Sequence, residues 1–162
     1  MERPIIFKGE MVRAILDGRK TMTRRLNKQW LKVKKGDRLW VRETWCAENR
    51  EIIHYRADGW EYEDDAGAGW KPSIFMPRWA SRINLEATAD ARLERLQEIS
   101  EEDAIKESFM GQEPYYVDVY QTTDSYPIAQ FACYWDSLNP KSPWKDNPAV
   151  VVIEFKKCDH KS

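Results

Sequence analysis

Residues 18–25 of this 162-residue chain read Gly-Arg-Lys-Thr-Met-Thr-Arg-Arg, and no other stretch gathers as much chemistry. An amphipathic run (Met11, Val12, Ile15 and Leu16 at helical spacing) ends at Gly18, the residue type that closes helices in the left-handed conformation. The segment after it is extended. Alternation there puts Thr21, Thr23 and Arg25 on one face and turns Met22 toward a core. Lys20 stands at the junction, where its ammonium can swing over the same face. A lysine, a hydroxyl and a guanidinium within six residues make a compact cationic site suited to a phosphate, a carboxylate or a carbonyl oxygen. The same residues also serve as solvated charges and strand filler, and spacing alone leaves both readings open.

Gly18, Lys20, Thr23 and Arg25 resemble the signature of the ASCH domain, a relative of the PUA RNA-binding fold. That family carries Gly-x-Lys-x-x-(Glu or Thr)-x-Arg after its first helix. The threonine form is similar to the small bacterial ASCH amidohydrolases that remove the acyl group from N4-acetylcytidine. Two further stretches, 35–45 (Lys-Gly-Asp-Arg-Leu-Trp-Val-Arg-Glu-Thr-Trp) and 71–82, look like the branch found in phage and prophage genomes. The resemblance is dense over 8–45 and 72–108 and thin over 58–71 and 111–147.

The resemblance implies a catalytic set of Lys20, Thr23 and Glu107. Glu107 takes the position matched by a glutamate in the family's later helix. Thr23 would then be the nucleophile, with Lys20 accepting its proton once desolvation lowers its pKa. Glu107 would position Lys20 or pass a proton to the leaving amine, and Arg25 would hold substrate or an oxyanion. The chemistry needs no metal and no cofactor. A binding module fits the same residues: Lys20, Arg24, Arg25, Lys28, Lys34 and Lys35 would meet phosphates, with Trp40, Trp45 or Trp79 stacking on a base and Arg78 beside them. In both readings the partner is RNA or a modified nucleoside. A third reading, a phage accessory interaction domain, would use the Trp-rich loops as its contact patch.

Composition narrows the field. Charged residues make up 33% and hydrophobic ones 42%, as in ordinary globular domains. No apolar run approaches the roughly 20 residues of a membrane span, and the first residues lack a secretory layout, so the expected location is cytoplasmic. Cys46, Cys133 and Cys158 are scattered, and His54 lies far from His160 in sequence, so neither a structural zinc site nor a disulfide framework is expected. Residues 1–42 hold 13 Lys and Arg against four acids, although the whole chain has a net charge of −1. That asymmetry points to a local anionic partner. Nothing in the sequence fixes an oligomeric state.

These residues need elements to position them. Strands are expected at 4–8, 20–26, 37–43, 52–57, 84–96 and 149–157, and helices at 9–17, from Ser100 onward, and at 124–138. In 37–43, Leu39 and Val41 face one side while Arg38, Trp40 and Arg42 face the other. Ser-Glu-Glu-Asp at 100–103 is a capping-box pattern. Strands bracketed by Gly and Pro turns imply an α+β protein, a small β-barrel with peripheral helices. The resemblance implies the same PUA-like barrel, with a cleft between it and the helix ahead of the motif. One domain over 1–162 is expected, with insertions at 58–71 and 111–147.

Overall fold

The computed structural model describes residues 1–59, 69–108 and 123–159. His160, residues 60–68 of the first expected insertion and residues 111–122 of the second lie outside these residues. Eight strands are present among them: β1 (Glu2–Ile6), β2 (Met22–Arg25), β3 (Arg38–Arg42), β4 (Trp45–Ala47), β5 (Ile53–Tyr55), β6 (Asn84–Ala87), β7 (Arg92–Arg95) and β8 (Ala149–Cys158). Three helices accompany them: α1 (Gly9–Leu16), α2 (Glu101–Glu107) and α3 (Tyr126–Leu138). The main sheet runs β1-β3-β6-β8-β2, with β7 also paired to β8, and β4 and β5 form a separate hairpin. This is an α+β protein whose curled half-barrel sheet carries peripheral helices, as the strand pattern requires.

Period-2 burial explains the sheet. Leu39 and Val41 in β3, Ile5 in β1 and Leu85 in β6 are at most 1% exposed, and they form one core with Val12 and Ile15 of α1. A second cluster, built from Leu96, Ala104, Phe131, Trp135, Trp144 and Val150, lies under α2 and α3. Met11 packs against both clusters. Each such aliphatic side chain stabilises the fold by about 1.5–3 kcal/mol on full burial. Gly18 takes φ +77° directly after α1, where a side chain would be strained. No described helix is long and apolar enough to cross a membrane.

One expected strand is broken. The alternation from Asn84 to Leu96 reads as a single curving strand, yet β6 ends at Ala87 and β7 begins at Arg92. The interruption is tertiary in origin. Gly36 N–H donates to the Ala87 carbonyl, Ala91 N–H donates to that of Val33, and the Asp90 carboxylate accepts from Lys35 N–H. The turn resets the phase, so Leu93 is 53% exposed and Arg92 and Glu94 swing toward β2. Both strands still pair with β8, β6 along Phe155–Cys158 and β7 along Ala149–Val152.

Helix α2 starts as its sequence indicates, with the Ser100 hydroxyl accepting from Asp103 N–H at 3.1 Å. Ser100→Ala should therefore lower stability by about 1 kcal/mol, seen as a reduced urea midpoint with unchanged slope. An unchanged midpoint would mean that the cap does not hold this helix in place.

Candidate functional site

Within the 18–25 segment, Lys20 and the β2 residues Met22, Thr23 and Arg24 are buried, while Gly18 and Arg19 are exposed. β2 pairs with β8 through Thr23↔Ile153 and Arg24↔Val152, and α2 packs over it, with Thr21 N–H donating to the Lys106 carbonyl. Met22 is buried as expected. Arg24 shares its face of the strand, and the Arg24 guanidinium donates to the Met22 sulfur at 3.1 Å. The side chains of Lys20 and Arg24 are 0% exposed.

These two cations converge on Glu107. Lys20 Nζ donates to Glu107 Oε2 at 2.9 Å, to the Glu107 carbonyl at 3.1 Å and to the Met22 carbonyl at 2.7 Å. Three donors thus find three acceptors, and the ammonium also caps the C-terminal end of α2. Arg24 Nη1 donates to Glu107 Oε1 at 3.0 Å, while Nη2 reaches Asp103 at 3.1 Å and Glu94 at 3.3 Å. Arg92 extends the network to Glu94, at 2.8 Å, and to Glu154, at 2.6 Å. Burial pushes the Lys20 pKa below 10.5, and the Glu107 carboxylate opposes that shift without cancelling it.

Thr23 and Arg25 form the other half. Arg25 Nε donates to Thr23 Oγ1 at 3.3 Å, and Nη2 donates to the Ile6 carbonyl at 2.7 Å. Its guanidinium lies 4.8 Å from the centre of the Phe7 ring. Desolvation brings the Arg25 pKa down to about 10, against the pull of Glu107, so it remains a cation at neutral pH.

A cleft of about 220 Å³ opens above these groups. Thr23, Arg24, Arg25 and Glu107 form its polar floor. Met11 of α1 with Phe131, Trp135 and Leu138 of α3 forms an apolar wall, and Ile6, Lys8 and Asn139 stand at the rim. Tyr134 also lines it and fixes α3 to α1 by donating to Glu10 Oε2 at 2.8 Å. Chemically, the floor offers a hydroxyl, a carboxylate and two guanidinium cations, beneath aromatic side chains.

The structure therefore brings Lys20, Thr23, Arg24, Arg25 and Glu107 together, across 87 residues of sequence between Lys20 and Glu107. Arg24, expected as a substrate contact, directs its guanidinium into the acid cluster. Trp40, Trp45, Arg78 and Trp79, expected as stacking and binding groups, do not line this cleft. Trp40 is covered by the guanidinium groups of Arg42 and Arg78, and Trp45 meets Trp79 edge-on at 5.7 Å. Lys34 pairs with Asp90 on the surface. The aromatic wall of the cleft comes instead from α3. Its inward residues are visible in the helical periodicity of 124–138, but the cleft they face is not.

No protein-family model matches the sequence, and no curated protein matches it closely enough to count as a relative. Among solved structures, the chain is similar to the hypothetical protein PH0355, with 13% identity and a TM-score of 0.49, over 98% of this chain and 100% of that one. It is also similar to an ASCH domain from Lactobacillus crispatus JV V101, with 13% identity and a TM-score of 0.45, over 96% of this chain and 79% of that one.

Proposed function

We propose that this chain is an ASCH-type domain of the phage branch whose cleft recognises a modified nucleoside, free or within RNA, and hydrolyses an N4-acylated cytidine without a metal. The observation that supports this most is the buried Lys20–Glu107–Arg24 cluster beneath Thr23 and Arg25 at the floor of a small, aromatic-walled cleft. A planar base fits against Phe131 and Trp135, with its acyl oxygen toward Arg25 and its exocyclic nitrogen toward Glu107.

In the reaction, Thr23 Oγ bonds to the acyl carbon as its proton passes to neutral Lys20. The C–N4 bond then breaks, and Lys20, aided by Glu107, returns that proton to the departing amino group. Water hydrolyses the threonyl ester, releasing the carboxylic acid and restoring Thr23. The Arg25 cation stabilises the oxyanion in both steps. Lys20 Nζ is bound to the Met22 carbonyl, one peptide unit from Thr23, which keeps the base close to the nucleophile.

The test is incubation of the purified protein with N4-acetylcytidine, with and without chelator, with chromatography for cytidine. Turnover should survive chelation and vanish in Thr23→Ala, while Arg25→Ala should weaken nucleoside binding tenfold or more. Nucleoside binding without turnover in the wild type would leave recognition as the function. Neither binding nor turnover would refute the assignment of the cleft.

A further inference from the structure

Ile6, on the rim of the cleft, leads onto a second surface. In the parallel pairing of β1 with β3, Ile6 stands beside Arg42 and Pro4 beside Trp40. Ile5 and Val41 turn inward, so this set makes the outer face of the sheet. Arg42 lies over the Trp40 ring at 4.8 Å and donates from Nε to the Met76 carbonyl at 3.0 Å. That bond seats the 72–82 segment against the sheet edge. Pro72 and Pro77 each lead into a tight turn there, and Met76 and Ala80 are fully buried anchors. The pinned segment nevertheless holds Phe75 71% exposed, Ile74 57% and Trp79 43%, with the Arg50 guanidinium 5.3 Å over the Trp79 ring.

Large apolar side chains held out by a rigid backbone mark a binding surface. The neighbouring charges select the partner. Arg42 and Arg50 form no ion pair among the described residues. An apolar protein surface would bury these cations uncompensated, which is costly. An acidic peptide would neutralise them and leave the rings in water. Alternating cations and exposed ring faces match a polyanion that carries its own planar groups.

We infer that this outer face is a track for single-stranded RNA, along which the nucleotides flanking the base in the cleft lie with their phosphates toward Arg42 and a neighbouring base against Phe75 or Trp79. The inference rests on the nucleoside reading of the cleft and extends it: the substrate is a strand, and its contacts continue from Ile6 across β1 and β3.

The test compares free N4-acetylcytidine with a labelled eight-nucleotide RNA carrying one central N4-acetylcytidine, and with its DNA counterpart, by anisotropy and calorimetry. The RNA should bind at least tenfold more tightly than the nucleoside. Phe75→Ala and Arg42→Gln should each weaken RNA binding about fivefold and leave nucleoside affinity unchanged. Arg42→Gln should also flatten the salt dependence by about 0.7 in log–log slope, the loss of one single-strand phosphate contact. Phe75 is too exposed for its loss to unfold the chain, so that variant separates contact from folding. RNA binding no tighter than nucleoside binding, full RNA affinity in both variants, or preference for the DNA would overturn the track. RNA affinity lost in Phe75→Ala but retained in Arg25→Ala would keep the track and discard the cleft reading.

Discussion

Glu107→Gln should destabilise the protein by about 3–5 kcal/mol, the range for breaking a buried ion pair by removing one partner. Glu107 accepts from Arg24 through Oε1 and from Lys20 through Oε2, and both cations have 0% side-chain exposure. A glutamine keeps the shape but offers one acceptor, so its amide NH2 must face one of the two cations. Arg24 retains Asp103 and Glu94, at 3.1 and 3.3 Å, so the deficit falls mainly on Lys20. Its sign with pH follows from linkage. The Lys20 pKa is lower in the folded state than the ordinary 10.5, so between the two values the unfolded chain holds more protons and stability rises with pH. Removing Glu107 lowers the folded value further and widens that window. Urea unfolding of Glu107→Gln should therefore show its largest deficit near neutral pH and a smaller one as pH approaches 10.5. A deficit under 1 kcal/mol, or one independent of pH, would mean that the Lys20–Glu107 pair does not control the charge state of Lys20.

The contrast between Glu107 and its helix neighbours shows what the sequence can and cannot reveal. α2 begins Glu-Glu-Asp, and every carboxylate in it reads as solvated. Glu102 fits that reading, with 79% side-chain exposure. Glu107 is buried because α2 ends against β2, where Lys20 and Arg24 arrive from far away in sequence, and no local pattern encodes that meeting. Only the family resemblance singled it out. The inward phase of Leu39 and Val41 was legible because alternation is a local property of the backbone, and so were the Gly18 stop and the Ser100 cap. The break between Ala87 and Arg92 was not, since its cause is hydrogen bonding to Val33, Lys35 and Gly36 of another loop. The outward phase of Trp40 was also legible, but the Arg78 that covers it belongs to a distant segment. Aromatic residues chosen for their type therefore missed the cleft, and Phe131 and Trp135 of α3 supply its wall.

Hydrolysis of N4-acetylcytidine should show a bell-shaped pH profile whose two limbs belong to Lys20 and Arg25. The base must be neutral to accept the Thr23 proton, so kcat/KM should rise with pH until Lys20 has lost its proton, at a value below 10.5 because burial outweighs Glu107. Arg25 must be charged to hold the acyl oxygen. With its pKa down to about 10, both substrate binding and oxyanion stabilisation should weaken above that pH, so the falling limb should appear in kcat as well as in kcat/KM. Lys20→Met should lower kcat by about 10²–10⁴, the usual contribution of a positioned base, and should flatten the rising limb. Lys20→Arg keeps a cation at the end of α2 that holds its proton through the rising limb, because a guanidinium is a far weaker acid than an ammonium. It should therefore retain the fold while losing as much activity as Lys20→Met, which separates proton transfer from structural support. Steady-state rates from pH 6 to 11, with thermal unfolding of each variant alongside, make the measurement. A rising limb that survives in Lys20→Met would assign the proton transfer to another group, and Glu107, whose carboxylate lies on the floor of the cleft, would be the next to replace.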